Sequence, residues 1–398
     1  MARNNGTKQQ TEIIKSKAPV KRVIACAGSG KTWVLTNSIA AILNEKKCNP
    51  DEILAVTFTR NAAENMRLRI GERLKGLEDI SNMDIHTFNS FGNDIIYDNS
   101  FELGLGKDFR LISGSQSWQI LYEILKDLSF SHIKIGKTPA VFLQNTLGFI
   151  QNLKNNLISP KDFYKYISEH EKILASYKSR ALSSEEEGII GASSELFEIY
   201  LNYERIKSNR NTIDYQDQVF MPYFLLSGRK ALQERYRSKY KYIFIDEFQD
   251  TNIAQAQLMT LLYKKGENNI MIVGDDDQGI YSFRGACIDN ILNFDKWDCF
   301  REDETKNFFL STNFRSGPEI IDSVYSVISR NENRFEKDFN AFDNNKESLV
   351  LFDINKTISE EAQELAGHIE KIISYGGIKL KDMAIISRRK RFGAIVEA

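Results

Sequence analysis

Long apolar runs and closely spaced cysteines are both missing from this chain of 398 residues. No apolar run approaches the ~20 residues that a membrane span requires. Residues 1–17 are polar and basic, without the apolar core of a secretory signal. Cys26, Cys48, Cys287 and Cys299 show no CxxC spacing, so reduced thiols are expected rather than disulfides or zinc ligands. We therefore expect a cytoplasmic protein with no membrane partner.

An excess of positive charge is also absent. The chain has 53 lysines and arginines against 54 acidic residues, a net charge of −1. This argues against a basic coat for nucleic acid, but a local groove is still allowed because the field depends on where the charges lie. The apolar fraction of 42% and the charged fraction of 27% are typical of a soluble globular protein, and the length allows two or three domains.

The most informative stretch is Val-Ile-Ala-Cys-Ala-Gly-Ser-Gly-Lys-Thr at 23–32. A strand at 23–25 and a helix at 31–43 are predicted on either side of a glycine-containing turn. This order is typical of a phosphate-binding loop, because glycines let several backbone N–H groups face one anion at the positive end of a helix. Lys31 is expected to reach the β- and γ-phosphates, and Thr32 to bind Mg²⁺. An incidental turn is the alternative.

Apolar runs at 53–58, 242–245 and 270–273 predict further strands, and helical spacing follows the first of them at 61–74. Strands and helices thus alternate, which predicts a parallel sheet. The two later runs are apolar throughout, as expected of central strands covered on both faces. Residues 91–235 contain few strand-like runs and many helical ones, which predicts a helical domain inserted into the sheet domain.

The last part of the chain predicts a second α/β unit. Ser316 with Glu319, and Thr357 with Glu360, have the spacing of a capping box at a helix start. The apolar run 383–386 predicts the strand that follows the second of these helices.

Two carboxylates, Asp246 and Glu247, follow the strand predicted at 242–245. The carboxyl end of a buried strand is the usual ligand-binding edge of an open α/β sheet. Adjacent residues of an extended strand point opposite ways, but a turn after the strand can aim both at one cleft. Asp246 is expected to hold Mg²⁺, directly or through water, and Glu247 to orient or deprotonate the attacking water. A solvated acidic turn is the alternative.

The segment after the next strand carries Gln278, Tyr281, Phe283 and Arg284. Gln278 is a neutral group able to contact both a water and a phosphate, and Arg284 can pair with phosphate bidentately. Taken alone, two aromatic residues are more often part of a core, and the acidic triplet 275–277 is more often a plain loop.

In combination, these segments resemble the motifs of the UvrD/Rep/PcrA-type superfamily 1 DNA helicases, in the same order. The matching segments are Ala-x-Ala-Gly-Ser-Gly-Lys-Thr at Ala25, Ala-Val-Thr-Phe-Thr at Ala55, Thr-Phe at Thr87, Asp-Glu-Phe-Gln-Asp-Thr at Asp246, Val-Gly-Asp-Asp-Asp-Gln at Val273 and Asn-Phe-Arg-Ser at Asn313. The strings 246–251 and 273–286 are the most specific, and the matches cover most of the chain outside the helical insert.

The resemblance implies an α/β fold, with a RecA-like P-loop NTPase parallel sheet, an inserted helical subdomain and the first half of a second RecA-like domain. ATP would lie in the cleft between the two RecA-like domains. The implied boundaries are 1–90 and 236–306 for the first, 91–235 for the helical subdomain and 307–398 for the second. The family's later motifs find no match, so a truncated reading frame, a fragment, or a subunit completed by another chain is expected.

The resemblance also implies a site for ATP and Mg²⁺. Its nucleotide-binding residues are Gln10, Ala25, Cys26, Ala27, Gly28, Ser29, Gly30, Lys31, Thr32 and Phe314, and its catalytic residues are Lys31, Glu247, Gln278, Arg284 and Arg315. Gln10 would recognise adenine, and Phe314 would stack on it in place of the family's usual tyrosine. Arg284 from the first domain and Arg315 from the second would reach the γ-phosphate.

A track for single-stranded DNA is implied as well. The base-stacking positions are Phe58, Tyr215, Tyr281 and Phe283, and the backbone contacts are Thr59, Arg60 and Arg67. Such stacking contributes ~1–3 kcal/mol per base for any sequence, which suits a motor without net positive charge. Phe283 stands where tryptophan is usual, which predicts weaker stacking, and Arg60 with Asn61 departs from the family's usual Asn-Lys order.

These expectations combine into an ATP-dependent DNA helicase or translocase that acts on single-stranded or partly duplex DNA. The family alone implies movement from 3′ to 5′. One alternative is an ATP- and DNA-binding module that is inactive alone. Another is the helicase part of a nuclease or defence complex that a partner protein completes. The third is a P-loop ATPase unrelated to nucleic acid.

Overall fold

The computed structural model describes residues 6–74, 80–177, 183–300, 305–388 and 393. Contacts divide the chain into two compact units, Met1–Asn345 and Lys346–Ala398. Among the helices of the described residues, none combines the length and the apolar character needed to cross a membrane.

The described elements alternate between strand and helix at the front of the chain and again after residue 240. The strands are β1 (Val20–Ala25), β2 (Ile53–Thr57), β3 (Asp84–Thr87), β4 (Arg110–Leu111), β5 (Thr212–Ile213), β6 (Tyr242–Ile245), β7 (Asn269–Gly274), β8 (Thr305–Leu310), β9 (Thr312–Asn313) and β10 (Asn340–Ala341). The helices are α1 (Lys8–Lys15), α2 (Lys31–Asn44), α3 (Arg60–Leu74), α4 (Phe88–Asp98), α5 (Gly114–Asp127), α6 (Pro139–Asn155), α7 (Pro160–Tyr177), α8 (Ser184–Asn209), α9 (Asp217–Gly228), α10 (Lys230–Lys239), α11 (Ile253–Leu262), α12 (Asp289–Leu292), α13 (Pro318–Ile328) and α14 (Ile358–Tyr375).

A six-stranded parallel sheet with the order β3-β2-β6-β7-β1-β8 forms the centre of the first unit. Its middle strands are buried because helices cover both faces. On β2, Leu54 and Val56 pack into the core that includes α4 and α11, whereas Ile53 and Ala55 pack into the core that includes α2 and α3. The predicted α/β fold class with a parallel sheet is thereby confirmed.

The order of the strands brings the predicted site segments to one edge of the sheet. Val23 of β1 pairs with Val273 of β7, and Phe244 of β6 pairs with Met271 of β7. The carboxyl ends of these three adjacent strands therefore lie side by side, and each leads directly into a segment with a predicted functional role.

Strand β8 belongs to this first sheet, whereas the sequence predicts that a second sheet domain begins at 307. β8 is paired along its length with β1, and Phe308 and Leu310 are buried in the core beneath α2. Arg22 of β1 also donates to Asn307 Oδ1 at 2.8 Å. Strand β8 supplies hydrogen-bond partners for the outer edge of β1 and for the buried Arg22. The domain boundary predicted between 306 and 307 therefore lies within a strand of the first sheet.

The helical part of the first unit has its own core. Leu121, Leu147, Ile150 and Tyr203, from α5, α6 and α8, are buried together. Helices α4 and α9 instead pack against the sheet, so the part with a separate core is narrower than the predicted insert. The short parallel pair β4–β5 connects its two ends, and the sequence analysis did not predict it.

The predicted helix starts near the C-terminus are confirmed in one case of two. In α14 the Thr357 side chain accepts the N–H of Glu360, as the capping box requires. α13 uses Gly317 as its N-cap without a side-chain bond, and Pro318 occupies its first position. Residues 383–386 form no strand, which corrects the prediction, because the described residues of this second unit offer no strand with which they could pair.

Candidate functional site

The loop between β1 and α2 has a backbone that glycine adopts without strain. Gly28 and Gly30 have φ angles of 68° and 89°, in the left-handed region. The Ser29 hydroxyl donates to the carbonyl of Cys26 at 2.7 Å and closes the turn. Burial raises the pKa of the Cys26 thiol to about 11, so the thiol stays protonated at neutral pH. The loop therefore has the tight, glycine-dependent backbone that is typical of phosphate-binding loops.

The segment that contains Phe314 and Arg315 lies against this loop. The N–H of Phe314 donates to the carbonyl of Gly28 at 3.0 Å, and Asn313 Nδ2 donates to the carbonyl of Ala27 at 2.6 Å. A Cβ built on Gly28 would lie only 2.9 Å from the Cβ of Arg315. Glycine at this position thus allows the close approach that brings both predicted residues to the phosphate loop.

Gln10 also contacts the phosphate loop. Its side chain is buried, and Nε2 donates to the carbonyl of Ser29 at 3.0 Å. Its Oε1 accepts the N–H of Thr7 at 3.0 Å in the capping box of α1. The amide therefore ties α1 to the loop, while the recognition of adenine by Gln10 stays a prediction.

Lys31 and Thr32, the first residues of α2, meet the two carboxylates that follow β6. Lys31 Nζ lies 2.9 Å from Glu247 Oε2, and the Thr32 hydroxyl donates to Asp246 Oδ2 at 3.2 Å. Glu247 has a φ of 51°, which is uncommon for a residue other than glycine. This sharp turn brings the adjacent carboxylates into one cleft with Lys31.

Burial disfavours the charged form of the carboxylates in this cleft. It raises the pKa of Asp246 to about 6, with the charge of Glu247 as the second cause, and it raises the pKa of Asp250 to about 6 in the same way. A divalent cation would stabilise the ionised form of Asp246. Thr32 and Asp246 offer oxygen atoms, which Mg²⁺ prefers as ligands. The donor set therefore fits a magnesium ion.

The loop after β7 is held by two cations that the sequence analysis did not identify. Gln278 Nε2 donates to Asp275 Oδ2 at 2.5 Å, and Lys337 Nζ donates to Asp275 Oδ1 at 2.7 Å. Arg334 binds Asp277 through two hydrogen bonds of 2.9 Å. Burial opposes the charge of Lys337, but the carboxylates beside it raise its pKa overall. The acidic triplet is thus paired within the protein rather than solvated.

A cavity of about 1230 Å³ opens between the sheet domain and α6. The DNA-contact candidates on its wall are Phe58, Thr59, Arg60, Tyr215 and Phe283. The ring centroids of Phe58 and Tyr281 are 5.4 Å apart, and those of Tyr281 and Phe283 are 5.9 Å apart. These three rings form a row, and Phe283 is 77% exposed. We call this cavity with its aromatic row the groove.

Two of the predicted site residues make contacts within the chain that the sequence did not predict. Arg284 was assigned to the γ-phosphate, but its guanidinium lies over the rings of Tyr281 and Phe283, 5.2 and 5.6 Å from their centroids, on the groove wall. Residues Ser282–Arg284 form a single 3-10 turn that ends at Gly285, which has a φ of 88°. Arg67 was assigned to the DNA track but donates to the carbonyl of Ile80 at 3.4 Å, on the connection between α3 and β3.

Amide side chains line much of the groove and were not predicted. Asn89 and Asn93 lie one turn apart on α4, and Gln151 and Asn155 lie one turn apart on α6. Asn89 Nδ2 donates to the carbonyl of Tyr215 at 3.0 Å. The spacing on each helix is visible in the sequence, but it acquires meaning only when the two helices are known to face one cavity.

A buried ion cluster fixes the turn that carries Tyr215. Lys154 of α6 and Lys207 of α8 each contact both Asp214 and Asp217, at 2.5–2.8 Å. Each aspartate also accepts the backbone N–H of the other, at 2.8 and 3.0 Å. Tyr215 lies between them and is 59% exposed. Two helices of the helical part therefore hold this aromatic residue on the groove wall.

Comparison with known proteins agrees with this geometry. Residues 6–297 match the family model described as "UvrD/REP helicase N-terminal domain". The chain is 31% identical over 394 residues to the ATP-dependent DNA helicase PcrA of Staphylococcus aureus, and 31% identical over 396 residues to that of Staphylococcus epidermidis. Both alignments cover 99% of this chain and 49% of the relative.

The chain thus spans about half the length of the curated relatives it matches. The family model covers most of the first unit, including the phosphate loop, the carboxylates after β6 and the loop after β7. The chain therefore belongs to the UvrD/Rep family of helicases.

Proposed function

We propose that this chain binds ATP with Mg²⁺ at the cleft around Lys31, binds single-stranded DNA in the groove, and couples ATP hydrolysis to movement along the strand. Movement from 3′ to 5′ is part of the proposal and is supported by the family resemblance. A cytoplasmic location and a second RecA-like domain, predicted at residues 307–398, are further parts of the proposal.

The loop after β7 is the observation that carries this proposal. At its start, Gln278 bonds to Asp275 beside the phosphate loop. Farther along the same loop, Phe283 and Arg284 line the groove. One short segment thus contacts both sites, so a shift of Gln278 on nucleotide binding or hydrolysis has a direct covalent path to the DNA-stacking residues.

Each residue of the cleft has a distinct role in the proposed reaction. Lys31 pairs with the phosphates, and Thr32 and Asp246 would hold Mg²⁺. When bound, Mg²⁺ neutralises charge on the phosphate oxygens and orients them. Glu247 accepts a proton from the attacking water, and Gln278 orients that water. Arg315 neutralises the γ-phosphate charge from the segment that lies against the loop, while Gln10 and Phe314 contact the adenine.

In the groove, bases stack on Phe58, Tyr281, Phe283 and Tyr215, as expected for binding without sequence preference. Arg284 adds a cation beside two of these rings and contacts the DNA in this proposal; its contact with the γ-phosphate stays a prediction. Thr59 and Arg60 contact the DNA backbone from the end of β2.

The test is the rate of ATP hydrolysis by the purified chain with and without single-stranded oligonucleotide. Strong stimulation supports a motor. Binding of ATP and DNA without turnover supports a module that is inactive alone, and stimulation only after a partner protein is added supports a complex that the partner completes. No response to DNA in any nucleotide state would overturn the proposal. A strand-displacement assay on duplexes with a 3′ or a 5′ single-stranded tail then tests the direction.

A further inference from the structure

Gln249 occupies a buried position between the carboxylates after β6 and the end of β7. Its side chain is 2% exposed. Nε2 donates to Glu247 Oε2 at 2.9 Å and lies 3.4 Å from Asp250 Oδ2, while Oε1 accepts the backbone N–H of Asp275 at 3.0 Å. This one amide therefore connects the two strand ends that carry the predicted catalytic residues.

The orientation of this amide follows from its partners. Exchange of the oxygen and nitrogen would place the carbonyl oxygen against two carboxylates and the NH₂ group against an N–H donor, which leaves every contact unfavourable. The site is also closely packed, because a Cβ built on Gly274 would lie 2.7 Å from Gln249 Oε1 and 2.6 Å from Ile291 Cδ1. Gln249 is therefore held in one position with one orientation.

The end of β7 is itself anchored from the opposite side. Asp275, whose N–H bonds to Gln249, has its carboxylate between Lys337 Nζ at 2.7 Å and Gln278 Nε2 at 2.5 Å. A continuous set of contacts thus runs from Lys337 through Asp275 and Gln249 to Glu247. Gln249 is the only member of this set that bonds directly to Glu247 among the contacts described.

From these contacts we propose that Gln249 is a positioning residue for Glu247. Within the described part of the chain, the Glu247 carboxylate contacts Lys31 and Gln249. This inference rests on the proposed function, in which Lys31 pairs with the phosphates of bound ATP instead of with Glu247. The hydrogen bond from Gln249 then keeps the carboxylate aimed at the attacking water. The same bond makes the position of Glu247 depend on the loop that carries Gln278 and Phe283.

Two substitutions of Gln249 test this role. Gln249→Met has a similar volume and removes both hydrogen bonds, and Gln249→Glu keeps an acceptor for Asp275 but replaces the donor to Glu247 with a negative oxygen. We expect kcat to fall about 10- to 100-fold in each, the effect of losing a hydrogen bond to a charged group. KM and the affinity for a fluorescent ATP analogue should change little, because both polar atoms of the Gln249 side chain already bond to protein groups.

Gln233→Met is the matched control. Gln233 is also partly buried and donates one hydrogen bond, to the carbonyl of Leu261 at 3.1 Å, away from both sites. Its substitution should leave kcat unchanged. If the Gln249 variants keep wild-type kcat, or if they lose nucleotide affinity instead of turnover, Gln249 does not position Glu247.

The role of Gln249 acts through Glu247, and a double-mutant cycle tests that directly. Adding Gln249→Met to Glu247→Gln should lower the residual rate no further than Glu247→Gln alone. If the double variant instead loses the product of the two single-variant falls in kcat, Gln249 acts independently of Glu247 and the proposal is overturned.

Crystal structures of wild type and Gln249→Met with a non-hydrolysable ATP analogue, whose phosphates pair with Lys31, give a readout that does not depend on turnover. We expect the Glu247 carboxylate to move from its wild-type position in the variant. An unmoved carboxylate would overturn the positioning role even if the chain hydrolyses ATP. Failure of the proposed function would appear separately, as wild-type protein that does not respond to DNA.

Discussion

Lys337 Nζ lies 2.7 Å from Asp275 Oδ1, and both side chains are 1% exposed. Lys337 also lies 3.4 Å from the carbonyl of Ala25, at the start of the phosphate loop. The segment between α13 and β10 is therefore fixed by charge to the ends of β1 and β7. This contact joins a part of the chain outside every predicted motif to the residues that the sequence assigns to ATP.

Substitution of Lys337 should destabilise the first unit strongly. Lys337→Met leaves the buried carboxylates of Asp275 and Asp276 without their cation, and breaking a buried ion pair costs about 3–5 kcal/mol. The free energy of unfolding, measured with urea, should fall by that amount. Lys306→Met is the control, since Lys306 is half exposed and pairs with Glu12 at 3.3 Å, and its loss should be below about 1 kcal/mol. Similar small losses for both variants would contradict a structural role of this pair.

Much of the first sheet could be predicted from the sequence, because strands that are buried on both faces are continuous runs of apolar residues. β2, β6 and β7 are apolar almost throughout, and helices follow two of the predicted strands at the expected spacing. The phosphate loop and the carboxylates after β6 could be found for the same reason. Their positions follow from the local order of strand, turn and helix.

Contacts between distant segments could not be found in this way. No spacing links Lys337 or Arg334 to the acidic triplet that they neutralise. The contacts of Arg284 with two rings depend on how the loop after β7 folds. Strand β8 joins the sheet because it pairs with β1 and bonds to Arg22. For Lys337, Arg334 and β8 the contacting residue is distant in the sequence, so the residues around each position do not predict the contact.

Removal of the Lys31 ammonium should prevent productive nucleotide binding. In Lys31→Ala the phosphates lose their cation, and Glu247 is left as a negative charge without its cation. Truncation of one partner of a buried charge pair costs about 2–5 kcal/mol, so we expect at least a 30-fold loss of ATP affinity or of kcat/KM. Titration with a fluorescent ATP analogue and steady-state hydrolysis both measure this. Lys161→Ala, on the exposed surface of α7, should behave as wild type, and a Lys31 variant that also does so would remove Lys31 from the site.

Glu247→Gln should separate nucleotide binding from hydrolysis. The substitution keeps the size of the side chain but removes the proton acceptor, and a general base contributes roughly 10²- to 10⁴-fold to the rate. ATP should still bind, because the negative charge opposite the phosphates is gone. A rapid-filtration assay of bound ATP, together with the hydrolysis rate, checks both parts. Glu267→Gln is the control, because Glu267 forms an exposed ion pair with Lys264. Equal hydrolysis by wild type and Glu247→Gln would disprove the assignment of the base.

Phe283→Ala should weaken single-stranded DNA binding while leaving basal ATP hydrolysis almost unchanged. The ring is 77% exposed, so its removal costs the fold little, but a lost stacking contact costs about 1–3 kcal/mol, or roughly 5- to 150-fold in Kd. Phe283→Trp, with a larger ring, should bind more tightly than wild type. Fluorescence anisotropy with a labelled oligothymidylate measures both changes.

Tyr166→Ala serves as the control for this comparison, because Tyr166 is 64% exposed on α7 and lies outside the groove wall. The order of affinities should be Phe283→Trp, then wild type and Tyr166→Ala together, then Phe283→Ala. An equal Kd for all four proteins would mean that the strand does not pass over the aromatic row. A parallel loss of basal ATPase in Phe283→Ala would instead place the ring in the coupling between the sites, because the loop after β7 reaches both of them.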